Sequence, residues 1–103
     1  MAKKAFEVLS EPMFYVLMSF LKQDRCGTEI VEFVQQKTKK RVNIGPGTLY
    51  AILAKFQDEG LISETLVEGR KRTYRITTKG RNVYTEEVNR LRCCLADAQT
   101  EEL

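Results

Sequence analysis

Thr48, Tyr50 and Lys55 fall within Ile44-Gly45-Pro46-Gly47-Thr48-Leu49-Tyr50-Ala51-Ile52-Leu53-Ala54-Lys55, and Arg70, Lys71 and Arg72 follow further along. A hydroxyl, a phenol, an ammonium and consecutive guanidiniums suit hydrogen bonds and charge contacts to phosphates and base edges. Thr48 is expected to touch a phosphate or base edge, or else to bond within its own first helical turn. Tyr50 is expected to reach a phosphate through its phenol, or else to be a half-buried core residue beside Leu49. Lys55 adds charge further along. Gly47 and Ala51 are small enough for a duplex backbone to come close, although Gly45 and Gly47 also suit the setting of a turn. Lys39, Lys40, Arg41, Arg70, Lys71 and Arg72 would grip phosphates, positioning the chain without specifying sequence.

Bond-making chemistry has little to work with. The chain has no histidine, which removes the commonest general base and the commonest metal ligand. Cys26, Cys93 and Cys94 make no familiar zinc spacing. Neither a catalytic constellation, a metal nor a cofactor is expected. Adjacent cysteines are poorly placed to bridge each other, so the thiols are expected reduced. Vicinal Cys93-Cys94 raises thiol sensing of oxidants or soft metals, against the plainer expectation of Cys94 at a packing edge and Cys93 at the surface.

The charge is unevenly spread. From Lys37 to Arg81 eleven Lys and Arg stand against four Asp and Glu, a net +7 in a chain whose total is +3. Such a concentration is the footprint of a polyanion partner, nucleic acid being the commonest. At 103 residues and 43% hydrophobic, one small domain is expected, with a core that a second copy could complete. No apolar run reaches the length that spans a bilayer, and Met1-Ala2-Lys3-Lys4-Ala5-Phe6 lacks a long apolar region. A cytoplasmic protein with no membrane partner is expected.

The elements that must position these groups follow from capping and periodicity. Ser10 caps a first helix with Met13, Val16, Leu17, Phe20 and Leu21 at three-four spacing, ending near Lys22 to Gly27. Thr28 caps a second through Ile30, Phe33 and Val34 to about Thr38, where Lys37, Lys39, Lys40 and Arg41 also suit the helix dipole. Pro46 opens a third, with Leu49, Ile52, Leu53 and Phe56 facing a core and Gly60 closing it. Alternation then sets Ile62, Glu64 and Leu66 on one strand and Arg72, Tyr74 and Ile76 on the next, around a tip at Val67-Glu68-Gly69-Arg70-Lys71. Thr77 or Thr78 caps a last helix whose Tyr84, Val88, Leu91, Leu95 and Ala98 recur as a heptad seam. That seam would dimerise through Tyr84, Val88, Leu91 and Leu95, or pack on the first helix, and the acidic stretch from Asp97 to Leu103 is expected to fray. The sum is a mainly α (α+β) winged helix-turn-helix with a two-stranded wing, residues 1–77, and a C-terminal dimerisation helix and tail, residues 78–103, in one compact domain.

From about Leu9 to Arg81 the chain resembles the PadR-type transcriptional regulators of bacteria. Gly47-Thr48-Leu49-Tyr50, Glu59-Gly60-Leu61-Ile62 and Arg72-Thr73-Tyr74-Arg75-Ile76-Thr77-Thr78-Lys79-Gly80 carry the likeness. It departs where Cys26-Gly27-Thr28-Glu29-Ile30 replaces an aromatic-rich start of the second helix and where Ala51 follows Tyr50 in place of proline. The resemblance implies a homodimeric repressor with the third helix as recognition helix and the last as dimerisation element. It also implies a double-stranded operator, and effectors, often small aromatic or drug-like molecules, that release it; the family's small members with a single C-terminal helix have about this length. A winged helix used only for protein assembly is the competing class, and it would tolerate charge reversal of Lys55 and the wing.

Overall fold

The computed structural model describes residues 8–103, so the expectation drawn from Met1 to Phe6 lies outside the described residues. Four helices and three strands follow in the order α1 (Glu11–Met18), β1 (Arg25–Cys26), α2 (Gly27–Thr38), α3 (Pro46–Asp58), β2 (Ile62–Glu68), β3 (Lys71–Ile76) and α4 (Thr78–Glu101). The strands form an antiparallel sheet in the order β1-β3-β2. This is the expected winged-helix architecture, with β2 and β3 as the wing.

One core joins these parts. Val16, Leu17, Ile30, Val34, Leu49, Leu53, Phe56 and Leu61 are buried there, and Tyr74 and Ile76 close it from the wing. The stripe read on α3 is the buried one, because Leu49, Ile52, Leu53 and Phe56 point inward while Gly47, Thr48, Ala51 and Lys55 are exposed. Gly60 takes the left-handed conformation after α3, with φ 74°, where a Cβ would be strained.

Several boundaries differ from expectation. Helix α1 stops at Met18, because Ser19 Oγ donates to Val16 O at 2.6 Å and the chain continues in tighter turns. Phe20 is nevertheless buried, so the apolar spacing outlasts the helix. Cys26, not Thr28, caps α2: its N–H donates to Glu29 Oε1 at 2.8 Å in a capping box. Lys39 and Lys40 adopt left-handed φ of 52° and 63° and turn the chain toward α3. Thr38 supports that turn, donating to Val34 O at 2.8 Å and accepting from Val42 N–H at 3.1 Å.

The alternation expected of β2 breaks at Thr65. Glu64 faces Tyr74 in the ladder, but Leu66 faces Thr73 and Val67 faces Arg72. This bulge moves Leu66 to the opposite side from Glu64 and leaves Leu66 and Val67 each 50% exposed. Thr77 caps α4, accepting from Gly80 N–H at 3.0 Å. The helix continues to Glu101, correcting the expectation of a frayed tail from Asp97.

Candidate nucleic-acid interface

Pro46 starts α3 with no N–H to leave unpaired, and the buried stripe fixes which side of the helix faces out. Tyr50 is 65% exposed, which removes the half-buried alternative. It lines a cleft of about 620 Å³ between α3, the start of α2 and the wing. Tyr50, Ala54 and Gln57 form the helical wall, Thr28 and Glu29 close one end, and Arg70, Lys71, Arg72 and Tyr74 come from the wing. The wing cations and Tyr50 therefore meet across one concavity, although they are separated by a strand and a turn in sequence.

The electrostatics of that cleft are mixed. Glu29 is held below its ordinary carboxylate pKa chiefly by the Cys26 backbone hydrogen bond, with Lys71 and Arg25 adding to the effect. Tyr74, buried at the base of the wing, has its phenol pKa raised by that burial, so it is a neutral hydroxyl at physiological pH. Arg72 Nη1 donates to Glu64 Oε2 at 3.1 Å. Asp24 accepts twice from Arg75, at 3.3 and 3.1 Å, tying the wing to the loop before β1.

The remaining expected contacts are placed elsewhere. Lys39 and Lys40 line a separate shallow depression with Glu32, Gln35 and Gln36. Arg41 is engaged with α1, donating to Glu11 Oε2 at 2.8 Å and to the Tyr15 hydroxyl at 3.0 Å. The hydrogen bond it donates to Glu11 is the main reason its pKa is raised. Ala54 and Gln57 were not singled out in the sequence, although their helical spacing from Tyr50 places them on the same wall. Neither Glu29 nor Glu64 stands among the expected site residues; the α2 capping box and the β2–β3 ladder bring these acids beside the cations.

Helix α4 divides its seam. Tyr84 stacks on Phe14 of α1, with ring centroids 5.3 Å apart and planes 4° from parallel. Further along, Leu91 is 39% and Leu95 59% exposed. The packing on α1 is therefore found for the first half of the seam, and the second half is an uncovered apolar stretch. Cys93 and Cys94 are exposed and Cys26 is buried, so Cys94 is not packed at an edge within this chain. Arg90 Nη1 lies 3.6 Å from Cys94 Sγ. Among the described residues no cluster of three or more His, Cys, Asp or Glu could hold a metal, and no helix is long and apolar enough to cross a membrane.

The Transcriptional regulator PadR-like family matches residues 16–86, which include α3, the wing and the cleft. The chain belongs to this family. Its members are regulators of transcription, not enzymes. The fold is similar to that of a transcriptional regulator from Clostridium thermocellum, at 26% identity and TM-score 0.77, over 85% of this chain and 89% of that one. It is also similar to a PadR family transcription regulator from Clostridium difficile, at 16% identity and TM-score 0.77, covering 91% of this chain and all of the other. Bacillus subtilis PadR in complex with operator DNA matches at 20% identity and TM-score 0.65, over 74% of this chain but 45% of that longer one. No curated protein matches the sequence. In this PadR-like regulator Tyr50, Ala54 and Gln57 are the exposed α3 residues that share the cleft with the wing cations, and Gly47, Thr48, Ala51 and Lys55 are exposed outside its lining.

Proposed function

We propose that this PadR-like regulator is a cytoplasmic homodimeric repressor that binds an inverted-repeat duplex operator. The observation that carries the reading is the shared cleft: Tyr50 of α3 and Arg70, Lys71 and Arg72 of the wing line one concavity. Its size and charge suit a sugar-phosphate strand, with α3 beside it in a groove. The Bacillus subtilis relative, solved with operator DNA, supports the same assignment. Thr48 contacts a phosphate or base edge and Tyr50 a phosphate through its phenol, Gly47 and Ala51 allow close approach, and Lys55 adds charge. Lys39, Lys40 and Arg41 grip the flanking backbone. Residues 1–77 form the DNA-binding part and 78–103 the dimerisation part.

Dimerisation would cover Leu91 and Leu95, extending the seam begun by Tyr84 and Val88. Two recognition helices would then stand about 10 bp apart or a multiple of it. A small aromatic or drug-like effector would release DNA only by binding two dimer spacings differently. A depression of about 290 Å³ beside the uncovered seam, lined by Leu9, Phe14, Tyr15 and Leu91 together with the charged Glu11, Glu87 and Arg90, is the site we infer for it.

The test is binding to the DNA upstream of the chain's own coding region, titrated against a scrambled duplex of equal length. A preference of about tenfold or more, lost in Thr48→Ala and Tyr50→Ala, is expected. Equal, strongly salt-dependent binding to both duplexes would reduce the reading to a basic surface. Absence of binding would favour an assembly module.

A further inference from the structure

The wing holds its own anion. Glu64 stands opposite Tyr74 in the β2–β3 ladder, and its carboxylate accepts from Arg72 Nη1 at 3.1 Å. The Glu64 side chain is 27% exposed and that of Arg72 61%. The acid is thus sheltered against the sheet while the guanidinium lies at the rim of the cleft. They share a face because Glu64 pairs with Tyr74, two residues from Arg72, and beyond the bulge at Thr65 it is Val67, not Leu66, that stands opposite Arg72. A carboxylate on a guanidinium presents the same oxygen-to-N–H contact that a phosphate would.

We propose that Glu64 is a built-in stand-in for phosphate that restrains the sequence-blind affinity of the wing. The inference rests on the DNA-binding reading above and deepens it. A free cation that meets a phosphate displaces one condensed counterion from the duplex. Arg72 is not free in this sense. If it leaves Glu64 for a phosphate, the stranded carboxylate stays beside the duplex and repels it, a salt-screened repulsion that offsets most of the gain. If it stays, it meets no phosphate at all. In both cases Arg72 adds little to the salt-dependent part of binding, which falls to Arg70, Lys71 and the cations of the helices. Glu29 is the acid that lines the cleft itself, but its carboxylate is committed to the Cys26 N–H, so removing it would disturb the start of α2. Glu64 can be neutralised without touching a cap.

The experiment measures salt dependence in the full-length wild type, Glu64→Gln, Arg72→Gln and the double variant. Each is titrated with the scrambled duplex and with the upstream duplex between about 50 and 200 mM salt. Glu64→Gln is expected to bind both duplexes more tightly at low salt and to steepen the slope of log K against log salt by about 0.9 for each protomer engaged. Across that fourfold range it should lose about 3.5-fold more affinity per protomer than the wild type. The double variant should return to the wild-type slope, because it removes the cation together with the acid that masks it. Far-UV circular dichroism establishes that each variant is folded. An unchanged or shallower slope in folded Glu64→Gln, or weaker binding at every salt concentration, would overturn the inference while leaving DNA binding intact. A wild type that binds neither duplex at the lowest salt would overturn both.

Discussion

Gly80→Ala strikes the joint through which α4 is held to the rest of the fold. A Cβ on Gly80 would stand 2.2 Å from Leu61 O, 2.8 Å from Ile76 Cγ1 and 3.1 Å from Leu61 C. Two of these three atoms belong to the backbone, so no change of rotamer relieves the overlap. Leu61 is also fixed from both sides: its N–H donates to Phe56 O at 2.8 Å and its carbonyl accepts from Thr77 N–H at 3.0 Å. The nearest contact is about 1 Å short of ordinary packing, and relief needs the first turn of α4 to lift away from the α3–β2 connection. Overpacking that side chains can absorb costs about 1–3 kcal/mol, and a clash against backbone belongs at the upper end, about 3 kcal/mol or more. For a domain of this size each kcal/mol lowers Tm by about 4–8 °C, so a fall of at least about 12 °C is expected. Thermal melting followed by far-UV circular dichroism measures it, with wild type and variant at one protein concentration because a dimer's Tm depends on concentration. Gly47→Ala is the matched control. No atom lies within 4 Å of its Cβ position, and its Tm should stay within a few degrees. A Gly80→Ala protein melting within about 4 °C of the wild type would refute the close approach of α4 to Leu61.

The uncovered seam predicts that Leu91→Glu with Leu95→Glu yields a folded monomer by light scattering, with operator binding reduced at least tenfold; a persistent dimer would remove α4 from the interface. Glu87 is buried and its pKa lies below the ordinary 4.5, first because of its hydrogen bond from Arg90. Its stabilisation is therefore present at neutral pH and is lost as pH falls through the lowered pKa. Glu87→Gln should cost about 1 kcal/mol at pH 7, and the gap to wild type should close under acid in urea melts. A gap that widens below pH 4.5 would contradict the sign. Native maleimide labelling should modify Cys93 and Cys94 and spare Cys26 until the chain is unfolded, with mass spectrometry counting the adducts. Rapid labelling of Cys26 would mean that the start of α2 opens readily.

What the sequence made legible was local. Ser10, Pro46, Gly60 and Thr77 each mark a helix end by a property of the residue itself, and the α3 stripe needs only a period of 3.6. What escaped depends on distant partners. Arg25 and Cys26 become a strand because Tyr74 and Thr73 lie alongside, and two residues carry no periodicity to announce it. Glu29, three residues on, is the mark in the sequence that Cys26 caps α2, although Thr28 is the commoner capping residue type. The bulge at Thr65 is likewise a property of the paired strands. Counting charges along the chain treats Glu64 and Arg72 as separate entries in a basic segment, whereas the ladder joins them. A net charge therefore gives the sign of the partner, but the fraction of that charge open to phosphate is set by strand register. Two chains with the same count, one with Glu64 and Arg72 on the same face of the hairpin and one with them on opposite faces, would differ in how steeply salt releases them from DNA.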